Sequence, residues 1–368
     1  MAAMLASLPC RGSQPRSAPL PIPVAAPRPD GIRGLTIAPI EDGRYPGTGY
    51  GTAACQEALG HASDIGATWV SITPFGRMED LEDTTVLHDF EIPANENEAR
   101  IERTIADARA RGLRVALIPH VYVMSGEWRG QIDPGYDEAW ERWFTSYEEY
   151  LLRYARLAQR NGVELLSVGV EFKSSTNYRP ERWRELIGKV REVYSGLLTY
   201  SSNWDEVDQV PFWDALDLIG VNAFWPLADE PSDGYDVMRQ HAAEIALELE
   251  SLYYHFARPV VLTEMGVKSA ADSALAPWEW PEDCTGLDYD EGYQAEAYDA
   301  LIGTLSREPW FYGLFVWKYF SDLHDDTQEK PTGFTPYGKR AEGVLSDWFF
   351  ESWDGIESDL LSTGFDSP

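Results

Sequence analysis

Cysteine is scarce in this chain: Cys10, Cys55 and Cys284 are all there is, an odd count with neither a CxxC pair nor Cys/His zinc spacing. A disulfide framework and a structural zinc site are therefore not expected, and the redox compartment stays open. Basic residues are outnumbered, 30 Lys and Arg against 61 Asp and Glu, for a net charge of −31. A surface that negative repels phosphate backbones and anionic headgroups, which argues against nucleic acid and for a neutral partner. No apolar run reaches the roughly 18 residues of a spanning helix, so no integral membrane segment is expected. Met1 to Pro9 also lacks the charged start and full-length apolar stretch of a complete signal peptide. Cys10, ahead of a Pro/Ser/Arg-rich stretch to Pro29, has the look of a tether behind a lipidated cysteine, although Pro9 is wrong for that cleavage. Localisation stays open between export or lipid tethering through a truncated signal and the cytoplasm.

Catalytic apparatus of the common kinds is missing too. His61, His88, His120, His241, His255 and His324 are the histidines, with no HxH and no HExxH, so a metal-dependent hydrolase lacks its ligands. There is no GxSxG elbow, no GxGxxG after the first strand and no P-loop. Neither a metal nor an organic cofactor is expected.

What is present is a repeating alternation. Seven prolines from Pro9 to Pro29 deny backbone donors to helix or sheet, so residues 1–30 read as a disordered tail. Beyond Gly31, short β-branched or aromatic runs alternate with helical periodicity, the pattern of parallel strands joined by crossover helices. Eight strands are predicted: Gly31 to Pro39, Thr68 to Pro74, Arg114 to Val121, Glu164 to Glu171, Leu198 to Asn203, Leu216 to Phe224, Pro259 to Glu264 and Tyr312 to Tyr319. Helices are predicted over Glu96 to Arg111, with Gly112 as C-cap, and over Tyr136 to Gln159, Glu181 to Tyr194 and Tyr235 to Phe256. The interval Trp204 to Ala215 leaves room for only a short crossover. A closed (β/α)8 TIM barrel of the α/β class is preferred to a doubly wound sheet, as a single domain over residues 31–350 followed by an acidic tail over 351–368. A monomer is expected.

In such a barrel the loops after the strand C-termini build the site. The fourth run ends in Glu171 and the seventh in Glu264, each a carboxylate leaving an apolar strand. Either alone reads as an exposed or salt-bridged acid; together, across one barrel mouth, they can converge on a single bond. Aromatics make 13% of the chain, and rings stack on the C–H faces of sugars. Trp143, Phe144, Tyr147, Tyr150 and Tyr154 sit at helical spacing and read as core, whereas Trp204, Phe224, Trp225 and Trp317 sit at strand ends. His120, at the end of the third strand, reads equally as a structural imidazole and as a substrate contact.

The strand-end motifs in order, Leu117-Ile-Pro-His120, Trp128-Arg-Gly130, Ser167-Val-Gly-Val-Glu171, Ser201-Ser-Asn203-Trp204-Asp205, Asn222-Ala-Phe-Trp225, Thr263-Glu264-Met-Gly266 and Val316-Trp317-Lys318, resemble those of glycoside hydrolase family 113. The resemblance spans roughly Gly31 to Phe349. It implies a (β/α)8 barrel with endo-β-1,4-mannanase activity on a neutral β-linked polysaccharide or oligosaccharide, with Glu171 as acid/base and Glu264 as nucleophile. It further implies that His120, Asn203, Trp204 and Trp317 line the subsite of the reacting sugar, while Trp128, Trp225, Trp278 and Trp280 stack more distant sugars. Two departures bear on substrate choice: Val170 stands where many related enzymes carry Asn, and Phe224 where the family tends to have Tyr. Other readings of the same residues are a retaining glucanase and a non-catalytic carbohydrate-binding barrel. Two-carboxylate hydrolysis with retention would require Glu171 to have a raised pKa in the free protein.

Overall fold

The computed structural model describes residues 31–39, 47–89, 92–282, 284–351 and 353. The Pro-rich tail expected over residues 1–30 lies outside them, as does the acidic tail over 351–368 apart from Glu351 and Trp353. Trp353 packs back on the barrel floor, stacked 6.0 Å from Phe311 and with the Arg33 guanidinium 5.1 Å from its ring.

Eight parallel strands close the barrel. In chain order they are β1 (Ile32–Ala38), β2 (Trp69–Ile72), β4 (Arg114–Leu117), β6 (Leu165–Val170), β7 (Leu197–Asn203), β8 (Ile219–Ala223), β9 (Val260–Met265) and β10 (Phe311–Phe320), with β1 pairing both β2 and β10. Because the strands are covered on both sides, they read as apolar runs rather than as an alternation; β1, β2, β6, β8 and β9 are buried throughout. The helices are α1 (Ala53–Asp64), α2 (Ala94–Arg109), α3 (Asp137–Asn161), α4 (Lys173–Tyr178), α5 (Pro180–Val193), α6 (Tyr235–Phe256), α7 (Glu291–Leu305) and α8 (Arg340–Phe350).

The third predicted strand does not run unbroken to Val121. It stops at Leu117, since Pro119 has no N–H to give the ladder. The chain resumes as β5 (His120–Val123), which pairs with β3 (Phe75–Met78) in a small parallel sheet standing above the barrel mouth. Between β7 and β8 only a single 3₁₀ turn, Trp213–Ala215, fills the crossover, in line with the short interval in the sequence.

The longest helix, α3, has the aromatic face its spacing predicts. Trp143, Phe144, Tyr147, Tyr150 and Tyr154 are buried, with Trp143 stacked 5.1 Å from Tyr147 and Phe172 and Trp183 packed edge-on against them. Truncating one such ring costs about 3–5 kcal/mol. Two hydroxyls on this face reach the strand ends: Tyr147 donates to the Val168 carbonyl at 2.9 Å and Tyr150 to that of His120 at 2.7 Å. The helix stops at Gly162, whose φ of +61° admits a left-handed cap that a β-carbon would strain.

Candidate active site

Glu171 is the first residue beyond β6, and its backbone turns there to φ +54°. Two hydrogen bonds hold that turn: Glu171 N–H donates to the Ser201 carbonyl at 2.8 Å, and Phe172 N–H to the buried Tyr200 hydroxyl at 2.6 Å. A non-glycine residue in this region costs on the order of 1–2 kcal/mol, and the surrounding aromatic packing offsets it. Glu264 lies within β9, opposite Asn222 of β8 in the ladder.

Both carboxyls open on one cleft of about 940 Å³, at the upper end of the roughly 300–1,000 Å³ usual for small-ligand sites. They are 8% and 6% exposed. Asn222 ties the two strands together. Its Oδ1 accepts from the Thr263 hydroxyl at 2.9 Å, which leaves Nδ2 to donate to Glu171 Oε1 at 2.9 Å. Trp128 Nε1 donates to the other oxygen, Oε2, at 3.0 Å, and Arg129 Nε stands 3.7 Å from it.

Burial, reinforced by the neighbouring Glu171 charge, pushes Glu264 well above the usual carboxylate range; Arg129, Lys318 and Asn222 pull the other way. The hydrogen-bond donors converge on Glu171, whereas Glu264 Oε1 has no hydrogen-bond partner.

This has a stability consequence. A carboxyl whose folded pKa exceeds its unfolded value contributes fully below the unfolded pKa and loses that contribution as pH rises through the folded one. Glu264→Gln, which does not titrate, is therefore expected to raise the thermal midpoint, by more at pH 8 than at pH 5. About 2 °C accompanies each kcal/mol recovered in a domain of this size, and calorimetry of the two proteins at both pH values checks it.

Of the other sequence candidates, Asn203, Trp204, Phe224, Trp278, Trp280, Trp317 and Trp128 line the cleft. Trp128 does not stand off as a distant platform; it touches Glu171. Trp204 and Trp278 stack on one another at 5.4 Å, joining the loops after β7 and β9. Trp278 and Trp280 are nearly half exposed, at 45% and 44%. Trp225 is a correction: it is buried and packed in the core cluster, and it is not among the residues lining the cleft. His120 is also withdrawn from the cleft surface, fully buried behind Trp317, whose ring lies 5.9 Å away and within 15° of parallel. Asn222, Arg129 and Lys318 were missed by the sequence reading. A lone buried Asn in the apolar run Ile219-Gly-Val-Asn-Ala223 was the available signal.

Among the described residues no group of three or more His, Cys, Asp or Glu side chains is arranged to hold a metal ion, and no helix is long and apolar enough to cross a membrane.

The profile of Glycoside Hydrolase Family 113 matches residues 45–339, which is most of the chain. The chain belongs to glycoside hydrolase family 113. It is a glycoside hydrolase on a (β/α)8 barrel, and the family resemblance read from its motifs holds. Among solved structures, the family 113 β-1,4-mannanase in a complex is 26% identical with a TM-score of 0.75, covering 87% of this chain and 99% of its own. The family 113 β-mannanase AaManA from Alicyclobacillus acidocaldarius, in complex with ManMIm, is 28% identical with a TM-score of 0.74, covering 87% and 97%. A family 5 mannosidase from Rhizomucor miehei, at 11% identity, TM-score 0.61 and coverages of 88% and 93%, shares the fold. No curated protein matches the sequence.

Proposed function

We propose that this glycoside hydrolase is a retaining endo-β-1,4-mannanase acting on mannan or glucomannan. The observation that carries the reading is the meeting of two buried carboxyls, from the fourth and seventh barrel strands, in one cleft walled by tryptophans. The two family 113 neighbours described as β-mannanases, each aligned over nearly its whole length, support the substrate class.

In the proposed cycle an oxygen of Glu264 attacks the anomeric carbon. The glycosidic C–O bond breaks, its electrons stay on the leaving oxygen, and that oxygen takes the proton of Glu171. A glycosyl ester remains. Glu171, now a base, deprotonates a water that displaces Glu264 and returns the anomeric configuration to its starting hand. The reactive form needs Glu264 charged and Glu171 protonated. Arg129 and Lys318 favour that form through their charge on Glu264, and a sugar that displaces water from the cleft strengthens both attractions.

Trp204, Trp278, Trp280 and Trp317 are proposed as sugar platforms, with Asn203 beside them. Trp278→Ala and Trp280→Ala are each expected to raise KM for mannohexaose about two- to tenfold, the worth of one lost ring stack of about 0.5–1.5 kcal/mol, and to leave hydrolysis of a short aryl mannoside nearly unchanged. Steady-state kinetics on the two substrates checks this.

The deciding experiment for the function is product analysis on defined β-manno- and β-gluco-oligosaccharides, with NMR of the newly formed reducing end. Faster cleavage of manno-oligosaccharides at internal bonds, with the β-anomer appearing first, is the expected result. Preference for cello-oligosaccharides would replace the mannanase reading by a glucanase, initial α-anomer would remove retention, and binding without cleavage would leave a carbohydrate-binding barrel.

A further inference from the structure

His120 and Arg129 form an arrangement behind the cleft wall that the two-carboxylate chemistry does not by itself require. An Arg129 terminal nitrogen lies 2.9 Å from His120 Nδ1. A guanidinium has only donors, so Nδ1 must be the accepting, unprotonated nitrogen. A neutral imidazole that accepts at Nδ1 carries its proton on Nε2. That atom faces Glu264 Oε1 at 3.4 Å, and neither of the two has a hydrogen-bond partner elsewhere among the described residues.

We propose that Arg129 is a positioning residue that fixes His120 as the neutral Nε2–H tautomer, so that the imidazole presents an uncharged donor to Glu264. The inference rests on Glu264 being the nucleophile. Three features of the surroundings support it. His120 is packed on its other sides by Phe75 at 5.0 Å and by Trp317, which restricts rotation of the ring. Burial, then the Arg129 charge, pushes the imidazole well below its usual pKa, which keeps it neutral. The ionisable groups around it are Arg129, Glu264 and the Tyr150 hydroxyl, which donates to its carbonyl, with Glu171 beyond Arg129, Lys318 over the Trp317 ring and Arg77 over the Phe75 ring that pack on it. A donor of this kind supports an ionised Glu264 without pairing it to a second cation, which leaves its oxygen free to attack. Arg129 also stands 3.7 Å from Glu171, so one guanidinium touches both halves of the reaction centre. The 3.4 Å gap is that of the free protein, and catalytic hydrogen bonds commonly shorten once substrate is bound.

The test reads the tautomer directly. In protein labelled with ¹⁵N-histidine and free of substrate, with His120 assigned by its absence in H120Q, the expected signal is a neutral Nε2–H imidazole from pH 5 to 8. Arg129→Lys, which keeps a nitrogen that can only donate, is expected to retain that tautomer. Arg129→Met is expected to give a tautomer mixture, a ten- to hundredfold lower kcat/KM on an aryl mannoside, and an acid limb moved to higher pH because Glu264 has lost a cation. An Nδ1–H or doubly protonated His120 in the wild-type protein would overturn the proposal, as would an Arg129→Met protein with the wild-type tautomer and limb. Should Arg129→Met fail to fold, the wild-type and Arg129→Lys spectra decide. Since the tautomer is measured without turnover, its failure is distinct from failure of the nucleophile assignment, which is read from Glu264→Ala.

Discussion

Glu264→Ala is expected to fold as the wild type does and to hydrolyse mannan at least about 10⁴-fold more slowly. The loss of a nucleophile that acts within a cooperating set typically reaches about 10⁴- to 10⁶-fold, because the remaining groups have no attacking atom to assist. Folding should survive: Glu264 Oε1 has no hydrogen-bond partner, and burial disfavours the carboxyl's charge. Small external anions give a sharper reading than activity alone. With the carboxyl deleted and azide supplied, an activated aryl β-mannoside should yield the α-mannosyl azide, since azide enters from the face that Glu264 occupied. A far-ultraviolet circular dichroism spectrum matching the wild type, together with absent turnover, checks the first part, and the configuration of the azide product checks the second. Wild-type turnover in Glu264→Ala would end the assignment.

The second large effect belongs to Glu171→Ala, and it should depend on the leaving group. Protonation of the departing oxygen is worth about 10²- to 10⁴-fold when that oxygen is a sugar hydroxyl, and little when it is an acidic phenol that leaves unaided. Polysaccharide hydrolysis should therefore fall by about 10³-fold or more, while formation of the glycosyl ester from a dinitrophenyl mannoside stays within about tenfold of wild type. The alkaline limb of kcat/KM, which reports loss of the general acid's proton, should disappear on the activated substrate. Equal losses on both substrates would remove the acid role. Azide should here give the β-mannosyl product, the opposite hand to that expected from Glu264→Ala.

The two carboxylates and the barrel were legible in the sequence because each barrel strand is a short apolar run and each acid ends one, a pattern set by burial on both faces of the sheet. What escaped the sequence depended on contacts between segments far apart in the chain. Nothing in Trp128-Arg-Gly130 shows that the indole N–H reaches Glu171 or that the arginine meets His120 nine residues back; the split of the third strand at Pro119 creates both approaches. Helix α7 escaped because apolar residues surround it, Ala295, Ala297, Tyr298, Ala300, Leu301 and Ile302 among them, and a helix packed between α6 and α8 has no polar stripe to announce its period. The upward push on Glu264 was illegible too, since it follows first from burial and then from the charge of Glu171, far off in the chain.

The hydroxyls of Tyr147 and Tyr150 reach from the outer layer to the carbonyls of Val168 and His120, three residues before one acid and at the imidazole that faces the other. The outer wall is thus moored to the reaction centre at two points, and substitutions on a surface no sugar visits can still slacken the alignment on which bond cleavage depends.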